Sequence, residues 1–261
     1  MARRIIEAGM QTTLWARRAE SLEAFEDCHV EIAESPAALA ATSDVVCICV
    51  VDDADVEQVL TAEGGVLSGC RRGSLIVIHS TVHPATCQHL SALASDVGAA
   101  VIDAPVSGGG PAASEGRLLV MVGCNDEEFE RVRPVLATFG DPVLHLGPLG
   151  TGQTAKALNN LLFTAHLGAA SALFELASVL DIDREALARS ITHGSGRSYG
   201  FDVVAEMGFN LRPFAGHVGA LLAKDVGIVA SLVAKTESPP ERLLADAEAT
   251  LAGMNSLHPS A

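Results

Sequence analysis

The chain has 261 residues, of which 49% are hydrophobic and 19% charged, so it is long and apolar enough to fold into one large or two modest domains and is not a disordered chain. Its 17 Lys and Arg residues against 32 Asp and Glu residues give a formal net charge of −15, which disfavours binding to the phosphate backbone of nucleic acids. Aromatic residues make up only 4%, so few side chains are available to stack on bases.

The longest apolar stretch, 161–174, contains Thr164 and His166 and is shorter than the ~20 residues that a membrane-spanning helix needs. We therefore expect no membrane span. The first residues do not have the pattern of a signal peptide, and the cysteines show no CxxC spacing. Cys47 and Cys49 lie in an apolar run and are expected to be buried, reduced thiols. These features predict a cytoplasmic protein.

Up to about residue 148, short apolar or β-branched runs alternate with segments of helical periodicity. Ser35-Pro36 and Pro84 mark two of the helix starts, since Ser is a good N-cap and Pro is favoured in the first turn. Strands alternating with helices predict an α/β domain with a parallel sheet covered on both faces. The predicted strands lie at 12–15, 45–51, 75–79, 100–103, 118–122 and 143–146.

After Gly147-Pro148-Leu149-Gly150 the pattern changes, because no strand-like run follows. One long helical pattern covers 151–182, and shorter ones cover 183–192, 215–234 and 240–253. We therefore predict an α/β domain over residues 1–148 and an all-helical domain over 149–261.

The predicted strand at 12–15 ends in Ala16-Arg17-Arg18. NAD-specific sites place Asp or Glu at this position to accept from the ribose 2′-hydroxyl, whereas two guanidinium groups suit a 2′-phosphate. If the domain binds a dinucleotide, this pattern favours NADP; the alternative is a pair of solvent-exposed arginines. A dinucleotide-binding domain has a strand and a GxGxxG turn before the helix predicted at 1–8, so we expect the natural chain to begin upstream of Met1.

The segment DAPVSGGG, 103–110, places Ser107 before three consecutive glycines at the end of a predicted strand. Glycine N–H groups and a serine hydroxyl form a cradle for an anion such as a carboxylate. A flexible turn is the alternative interpretation.

Lys156 and Asn160 are four residues apart and share one face of the long predicted helix. A lysine on an apolar helix is costly to bury, and a desolvated lysine can act as a general acid or base. The alternative is a lysine that extends to solvent. Lys224-Asp225 repeats the pattern on another apolar helix, where a surface ion pair is the simpler explanation. The histidines have no HxxxH or HxH spacing, so no metal site is predicted.

Four segments in this order resemble the β-hydroxyacid dehydrogenase family, which includes 3-hydroxyisobutyrate dehydrogenase and tartronate semialdehyde reductase. They are STVHP (80–84), DAPVSGGGPAASEGRLLVMVG (103–123), GPLGTGQTAKALNN (147–160) and FAGHVGALLAKDVGIVA (214–230). The resemblance implies a Rossmann-type domain followed by an all-helical domain through which members form dimers or tetramers. It also implies hydride transfer between NADP, or alternatively NAD, and a small carboxylate-bearing hydroxyacid or semialdehyde.

By the same resemblance, Lys156 is the catalytic acid and base. Ser107, Gly108 and Gly109 bind the substrate carboxylate, and Asn160 completes the substrate pocket. The positions implied to contact the cofactor are Arg17 and Arg18 at the adenosine ribose, Val50, Val51, Asp55 and Thr81 along the dinucleotide, and Lys224 beside the nicotinamide.

Two other functions are weighed. One is a non-catalytic dimerisation or binding module derived from a dehydrogenase that has lost its nucleotide turn. The other is a related enzyme, either an imine reductase or a glyoxylate or succinic semialdehyde reductase. The presence of Lys156, Ser107 and Asn160 argues against a non-catalytic module, and the resemblance makes an imine reductase less favoured, because that branch usually lacks both this lysine and the DAPVSGG segment.

Overall fold

The computed structural model describes residues 1–234, 236–237 and 241–257. The chain divides into two compact units, Met1–Lys156 and Ala157–Ala261. The predicted boundary near residue 148 lies a few residues before this division, which falls inside a long helix.

The first unit alternates strands and helices. Its strands are β1 (Thr13–Leu14), β2 (Glu31–Ile32), β3 (Val45–Ile48), β4 (Leu75–Ile78), β5 (Ala100–Asp103), β6 (Val106–Ser107), β7 (Leu118–Gly123) and β8 (Gly140–Gly147). Its helices are α1 (Ala2–Glu7), α2 (Pro36–Thr42), α3 (Asp53–Thr61), α4 (Val66–Gly69), α5 (Pro84–Asp96), α6 (Gly109–Glu115) and α7 (Asp126–Leu136), with a 3₁₀ helix at Ala19–Phe25.

Six of these strands form one sheet in the order β3-β4-β5-β7-β6, with β8 paired to β7. The pairs β3–β4, β4–β5 and β7–β8 are parallel, whereas β7 runs antiparallel to β5 and β6. Strands β1 and β2 form a separate parallel pair. The predicted α/β class is confirmed. The sequence did not predict β2 and β6, which have two residues each.

Strand β4 shows why the sheet is covered on both faces. All four of its residues are buried, although successive side chains point to opposite faces. Ile76 and Ile78 pack in one hydrophobic cluster with Leu60 of α3 and Leu90 of α5. On the other face, Leu75 and Val77 pack in a second cluster that includes residues of α7. A continuous apolar run is therefore what this central strand requires.

The carboxylate of Asp103, at the end of β5, holds the start of the next helix, α8 (Thr151–Val179). Its side chain is fully buried, and its oxygens accept hydrogen bonds from the backbone N–H groups of Gly150 at 2.6 Å and Gln153 at 2.7 Å. A Cβ atom on Gly123 would lie 2.3 Å from Asp103 Oδ1, and one on Gly152 would lie 2.8 Å from Oδ2. Glycine is therefore required at both positions for the helix to reach this carboxylate.

Within the second unit, helices account for the described secondary structure. After α8 these are α9 (Arg184–Thr192), α10 (Tyr199–Glu206), α11 (His217–Val233) and α12 (Glu241–Ser256), with a 3₁₀ helix at Arg212–Phe214. The predicted helical C-terminal part is confirmed, and α10 is the helix that the sequence patterns missed. Phe174 of α8 stacks on Phe201 at a ring-centroid distance of 5.3 Å and contacts Phe209 at 4.9 Å.

Helix α8 has 29 residues, and by length and composition it is apolar enough to cross a membrane. The long helical pattern predicted at 151–182 includes this helix, which extends beyond the apolar stretch 161–174 on both sides. The expectation of no membrane span stays a prediction. Leu167 and Phe174 pack in one hydrophobic cluster, and Leu161 and Ala165 pack in another with residues of α11 and α12. Core helices of globular domains have this composition.

The burial of Asp103 raises its pKa to about 6, against hydrogen bonds from Gly150 and Gln153 that lower it. The folded state then binds more protons than the unfolded state between about pH 4 and pH 6, so ionisation lowers the free energy of unfolding as the pH rises through this window. The Asp103→Asn variant lacks this ionisation. We therefore expect the unfolding free energy of wild type, relative to that of Asp103→Asn, to fall by about 2–3 kcal/mol from pH 4 to pH 7.

Urea unfolding at pH 4, 5, 6 and 7 measures this difference. Asp96→Asn removes the same charge from an exposed position of α5 and serves as the control. A difference between wild type and Asp103→Asn that stays constant with pH would contradict the assignment.

Candidate active site

A cavity of about 600 Å³ in the first unit lies between the residues that follow β1 and those of β3. Its apolar wall includes Trp15, Val46, Ile48 and Val59. Five of the residues predicted to contact a cofactor line it together: Arg17, Arg18, Val50, Val51 and Asp55. Thr81, which was predicted with them, is not among the lining residues.

Two of these predicted residues form an ion pair. The Arg17 guanidinium donates to Asp55 Oδ1 at 2.8 Å and to Gln58 Oε1 at 3.1 Å, both on α3. The hydrogen bond from Arg17 lowers the pKa of the Asp55 carboxyl. Helix α3 therefore holds one guanidinium at the cavity, while Arg18 lines the same cavity as an exposed side chain.

Cys47 and Cys49 also line this cavity, and both are free cysteines with solvent-exposed surface, although the surrounding protein raises the pKa of both thiols, that of Cys47 to about 12. The expectation that they are buried was wrong. Strand β3 is the last strand at one end of the six-stranded sheet, so the cavity opens beside it where a further strand would otherwise cover these residues.

Buried polar side chains connect the loops that follow β3 and β4 to the start of α8. Ser80 Oγ accepts from the N–H of Val50 at 2.8 Å and donates to its carbonyl at 2.9 Å. Gln153, fully buried in the first turns of α8, donates to the Ser80 carbonyl at 2.8 Å and accepts from the Val82 N–H at 3.1 Å. Thr81 lies between these two anchored residues, next to the start of α8 rather than in the cavity wall.

Lys156 follows Gln153 by three residues on α8, so the two side chains share one face of the helix. Its side chain is half-buried. Asp103 attaches the first turn of α8 to β5, and Gln153 attaches it to the loop after β4. These two contacts fix the position of the helix start that carries Lys156. Sequence reasoning missed Ser80 and Gln153, although both lie within the motifs named above.

The glycine segment begins where β6 ends at Ser107. Gly108 and Gly109 have φ values of +125° and +68°, and both are exposed. A Cβ atom on Gly108 would lie 2.6 Å from the Cβ atom of Ala112 in α6. Glycine is thus required at position 108 by backbone conformation and by space.

In the second unit, Asn160 and Lys224 meet at a third residue, Asp225. Asn160 Nδ2 donates to Asp225 Oδ2 at 2.5 Å, and Lys224 Nζ lies 3.7 Å from Asp225 Oδ1. Asp225 is only 4% exposed, so the interpretation of Lys224-Asp225 as a surface ion pair was wrong. The sequence offered one signal, an adjacent pair of charged residues within a long apolar segment of the helix.

Among the described residues, no group of three or more His, Cys, Asp or Glu side chains is arranged to hold a metal ion.

Both units match family models. Residues 1–147 match the NAD binding domain of 6-phosphogluconate dehydrogenase, and residues 150–258 match the NAD-binding domain of NADP-dependent 3-hydroxyisobutyrate dehydrogenase. The chain is 34% identical over 191 residues to 2-(hydroxymethyl)glutarate dehydrogenase of Eubacterium barkeri. This match covers 73% of this chain and 64% of that relative, which is less than two thirds of the relative's length.

Two further relatives are 3-hydroxyisobutyrate dehydrogenases. The mitochondrial enzyme of Pongo abelii is 29% identical over 246 residues, covering 92% of this chain and 73% of that protein. The crystal structure of the Salmonella typhimurium protein matches with a TM-score of 0.84 and 26% identity, covering 98% of this chain and 90% of that one.

The glycine segment provides a matched pair of substitutions. Gly108→Ala forces a side chain into a positive-φ conformation and against Ala112, and we expect it to lower the free energy of unfolding by about 1–3 kcal/mol. Gly110 has open space around its Cβ position and lies within α6, so Gly110→Ala is expected to be neutral or stabilising by up to about 1 kcal/mol. Thermal or urea unfolding measures both; equal effects would contradict the conformational argument.

Proposed function

Because the chain belongs to the NAD(P)-dependent β-hydroxyacid dehydrogenase family, we propose that it transfers a hydride between NADP and a small β-hydroxyacid, with Lys156 as the acid and base. The observation that carries the proposal is the placement of Lys156 on a helix start that Asp103 and Gln153 hold against the first unit.

The cavity beside β3 fits the adenosine end of NADP. Arg17 and Arg18 follow β1, where their guanidinium groups suit the 2′-phosphate, and Val50 and Val51 supply an apolar surface. Asp55 forms an ion pair with Arg17. The negative charge of this carboxylate is therefore partly neutralised and repels a phosphate less than an unpaired carboxylate would. A bound NADP supplies a nicotinamide ring that accepts or donates the hydride.

Two relatives indicate the substrate class. The molecules in their names, 2-(hydroxymethyl)glutarate and 3-hydroxyisobutyrate, share a hydroxymethyl group on the carbon next to a carboxylate. We therefore propose a 2-substituted 3-hydroxypropanoate, or the corresponding semialdehyde, as the substrate. The Ser107 hydroxyl, the N–H groups of Gly108 and Gly109 and the Asn160 amide would bind its carboxylate, so that binding energy distant from the reacting carbon orients it.

In the oxidation direction, the neutral amine of Lys156 accepts the hydroxyl proton of the substrate as the C–H bond of the same carbon breaks. In reduction, the ammonium form returns a proton to the carbonyl oxygen.

Lys156→Ala tests the chemical role. We expect kcat for NADP⁺ reduction with 3-hydroxyisobutyrate to fall by about 10²- to 10⁴-fold, the usual contribution of a general acid or base, while thermal stability and NADPH affinity stay at wild-type values. Absorbance at 340 nm follows turnover, and calorimetric titration follows NADPH. Retained turnover in this variant would remove Lys156 from the mechanism.

Arg18→Ala tests the cofactor preference. We expect NADPH affinity to fall by about 10- to 100-fold, because a charged hydrogen bond to the 2′-phosphate is lost, while NADH affinity does not change. Titration of both cofactors measures the two values. Equal losses for NADPH and NADH would contradict the assignment to the 2′-phosphate.

We also propose that two copies of the chain pair through α8. One face of this helix carries exposed side chains without a charge, large at both ends and small between them: Leu158, Leu162, Ala169, Ala172, Leu176 and Val179. The nearly buried Ala165 completes their four-three spacing. This order is nearly the same in either direction, so the face is complementary to itself in an antiparallel, two-fold pair.

Sedimentation velocity tests this pairing. We expect wild type to sediment as a dimer and Leu176→Arg to sediment as a monomer, because the substitution places a charge in the paired face. A wild-type monomer would overturn the proposal.

A further inference from the structure

Two helices of the first unit start close to each other at one edge of the sheet. Helix α3 follows β3 and helix α5 follows β4, and these two strands are parallel neighbours. Their carboxyl ends therefore lie at the same edge, which is where open α/β sheets bind their ligands. The loop at 80–83, between β4 and α5, lies at this edge and carries Thr81.

The N-cap residue of α5 has no acceptor for its own N–H within the helix. This residue is His83, and its Nδ1 accepts from the N–H of Ala85 at 3.0 Å. In a capping box, the side chain of the third helical residue accepts from the N–H of the N-cap residue. The third residue of α5 is Thr86, whose hydroxyl is used as a donor instead. The N–H of His83 therefore needs an acceptor from outside α5.

Asp53, the first residue of α3, supplies that acceptor. Its Oδ1 accepts from the N–H of His83 at 2.8 Å and from the hydroxyl of Thr86 at 2.6 Å. One carboxylate oxygen on α3 thus completes the capping box of α5. The negative charge is also favourable at this position, because the N–H groups at a helix start carry a partial positive charge.

This contact fixes the loop on the side that Gln153 does not reach. Gln153 holds the backbone groups on either side of Thr81 and attaches the loop to α8. Asp53 holds the next N–H along the chain, that of His83, and attaches the loop to α3. Helix α3 also forms part of the cavity wall through Asp55. Asp53 therefore defines where Thr81 lies relative to the cavity.

From this geometry we propose that Asp53 is a positioning residue for the nicotinamide half of NADP: it caps α5 from α3 and so fixes the loop that carries Thr81. The proposal rests on the proposed function for the identity of the cofactor. The adenosine half is assigned to the cavity beside β3, whereas Thr81 lies outside the cavity wall and next to the start of α8, which carries Lys156. Asp53 therefore matters for binding the whole dinucleotide and not for binding its adenosine half.

Four variants separate the hydrogen bonds from the charge and from stability. Asp53→Ala removes the acceptor. Asp53→Asn removes the charge but keeps an oxygen that can accept both bonds, because both go to the same atom. Thr86→Val removes one bond and leaves the other, so it tests the contact even if Asp53→Ala does not fold. Asn125→Ala is the control, because it removes the capping box of α7 in the same unit and Asn125 is not among the residues that line the cavity.

The first measurement does not depend on turnover. Calorimetric titration compares NADPH with adenosine 2′,5′-bisphosphate, a fragment that keeps the adenosine and the 2′-phosphate and lacks the nicotinamide. We expect Asp53→Ala to weaken NADPH binding by about 10-fold, as the loss of a hydrogen bond to a charged group does, and to leave the affinity for the fragment unchanged. Thr86→Val should weaken NADPH binding by a smaller factor. Asp53→Asn and Asn125→Ala should bind both ligands as wild type does.

The second measurement reports on the loop itself. Hydrogen exchange of the peptide that spans residues 79–86, followed by mass spectrometry, measures the protection of the His83 N–H. We expect this peptide to exchange faster in Asp53→Ala than in wild type, Asp53→Asn or Asn125→Ala. NADPH should slow its exchange in wild type, because the bound nicotinamide half contacts the loop, whereas the fragment should leave it unchanged.

Four results would overturn the proposal. In Asp53→Ala they are equal losses of affinity for NADPH and the fragment, an unchanged affinity for NADPH, and an exchange rate of the loop that does not differ from wild type. The fourth is a loss of NADPH affinity in Asn125→Ala as large as that in Asp53→Ala. Failure of the proposed function has a different outcome: wild type would oxidise no 3-hydroxyisobutyrate, while the difference between NADPH and the fragment in Asp53→Ala would persist.

Discussion

The hydrogen bonds from the start of α8 to the buried carboxylate of Asp103 are the interaction on which the rest of the site depends. Backbone N–H groups at a helix start are without partners within the helix and carry a partial positive charge, so a carboxylate at the end of a strand is a suitable acceptor. Gly123 and Gly152 leave the space that this contact needs. In return, the helix that carries Lys156 starts at a defined point relative to β5.

A second level of order comes from neutral polar side chains. Ser80 and Gln153 are buried, and their hydrogen bonds go to backbone groups of the loops after β3 and β4. Loops that surround a site have few apolar contacts to define their conformation, so backbone hydrogen bonds to rigid elements take over this role. Lys156 and the loop that contains Thr81 are organised by the same glutamine.

The same arrangement recurs in the second unit, with a charge in place of the neutral amide. Asp225 engages Asn160 and lies near Lys224, while the apolar side chains around it pack α8 against α11. Removing one partner of a buried charge costs more than the contact itself contributes.

The sequence by itself determined the features that depend on neighbours along the chain. The Ser35 cap, the apolar run of β4 and the change of pattern after Gly150 are local, so the α/β part and the helical part were both predicted. Only the tertiary structure decided which residues meet and which are buried. Cys47 and Cys49 were expected in the core and are exposed, since β3 lies at the end of its sheet. Asp225 was expected at the surface and is buried, because α8 packs against its helix. Such outcomes depend on contacts between segments far apart in the chain, and neither periodicity nor spacing carries that information.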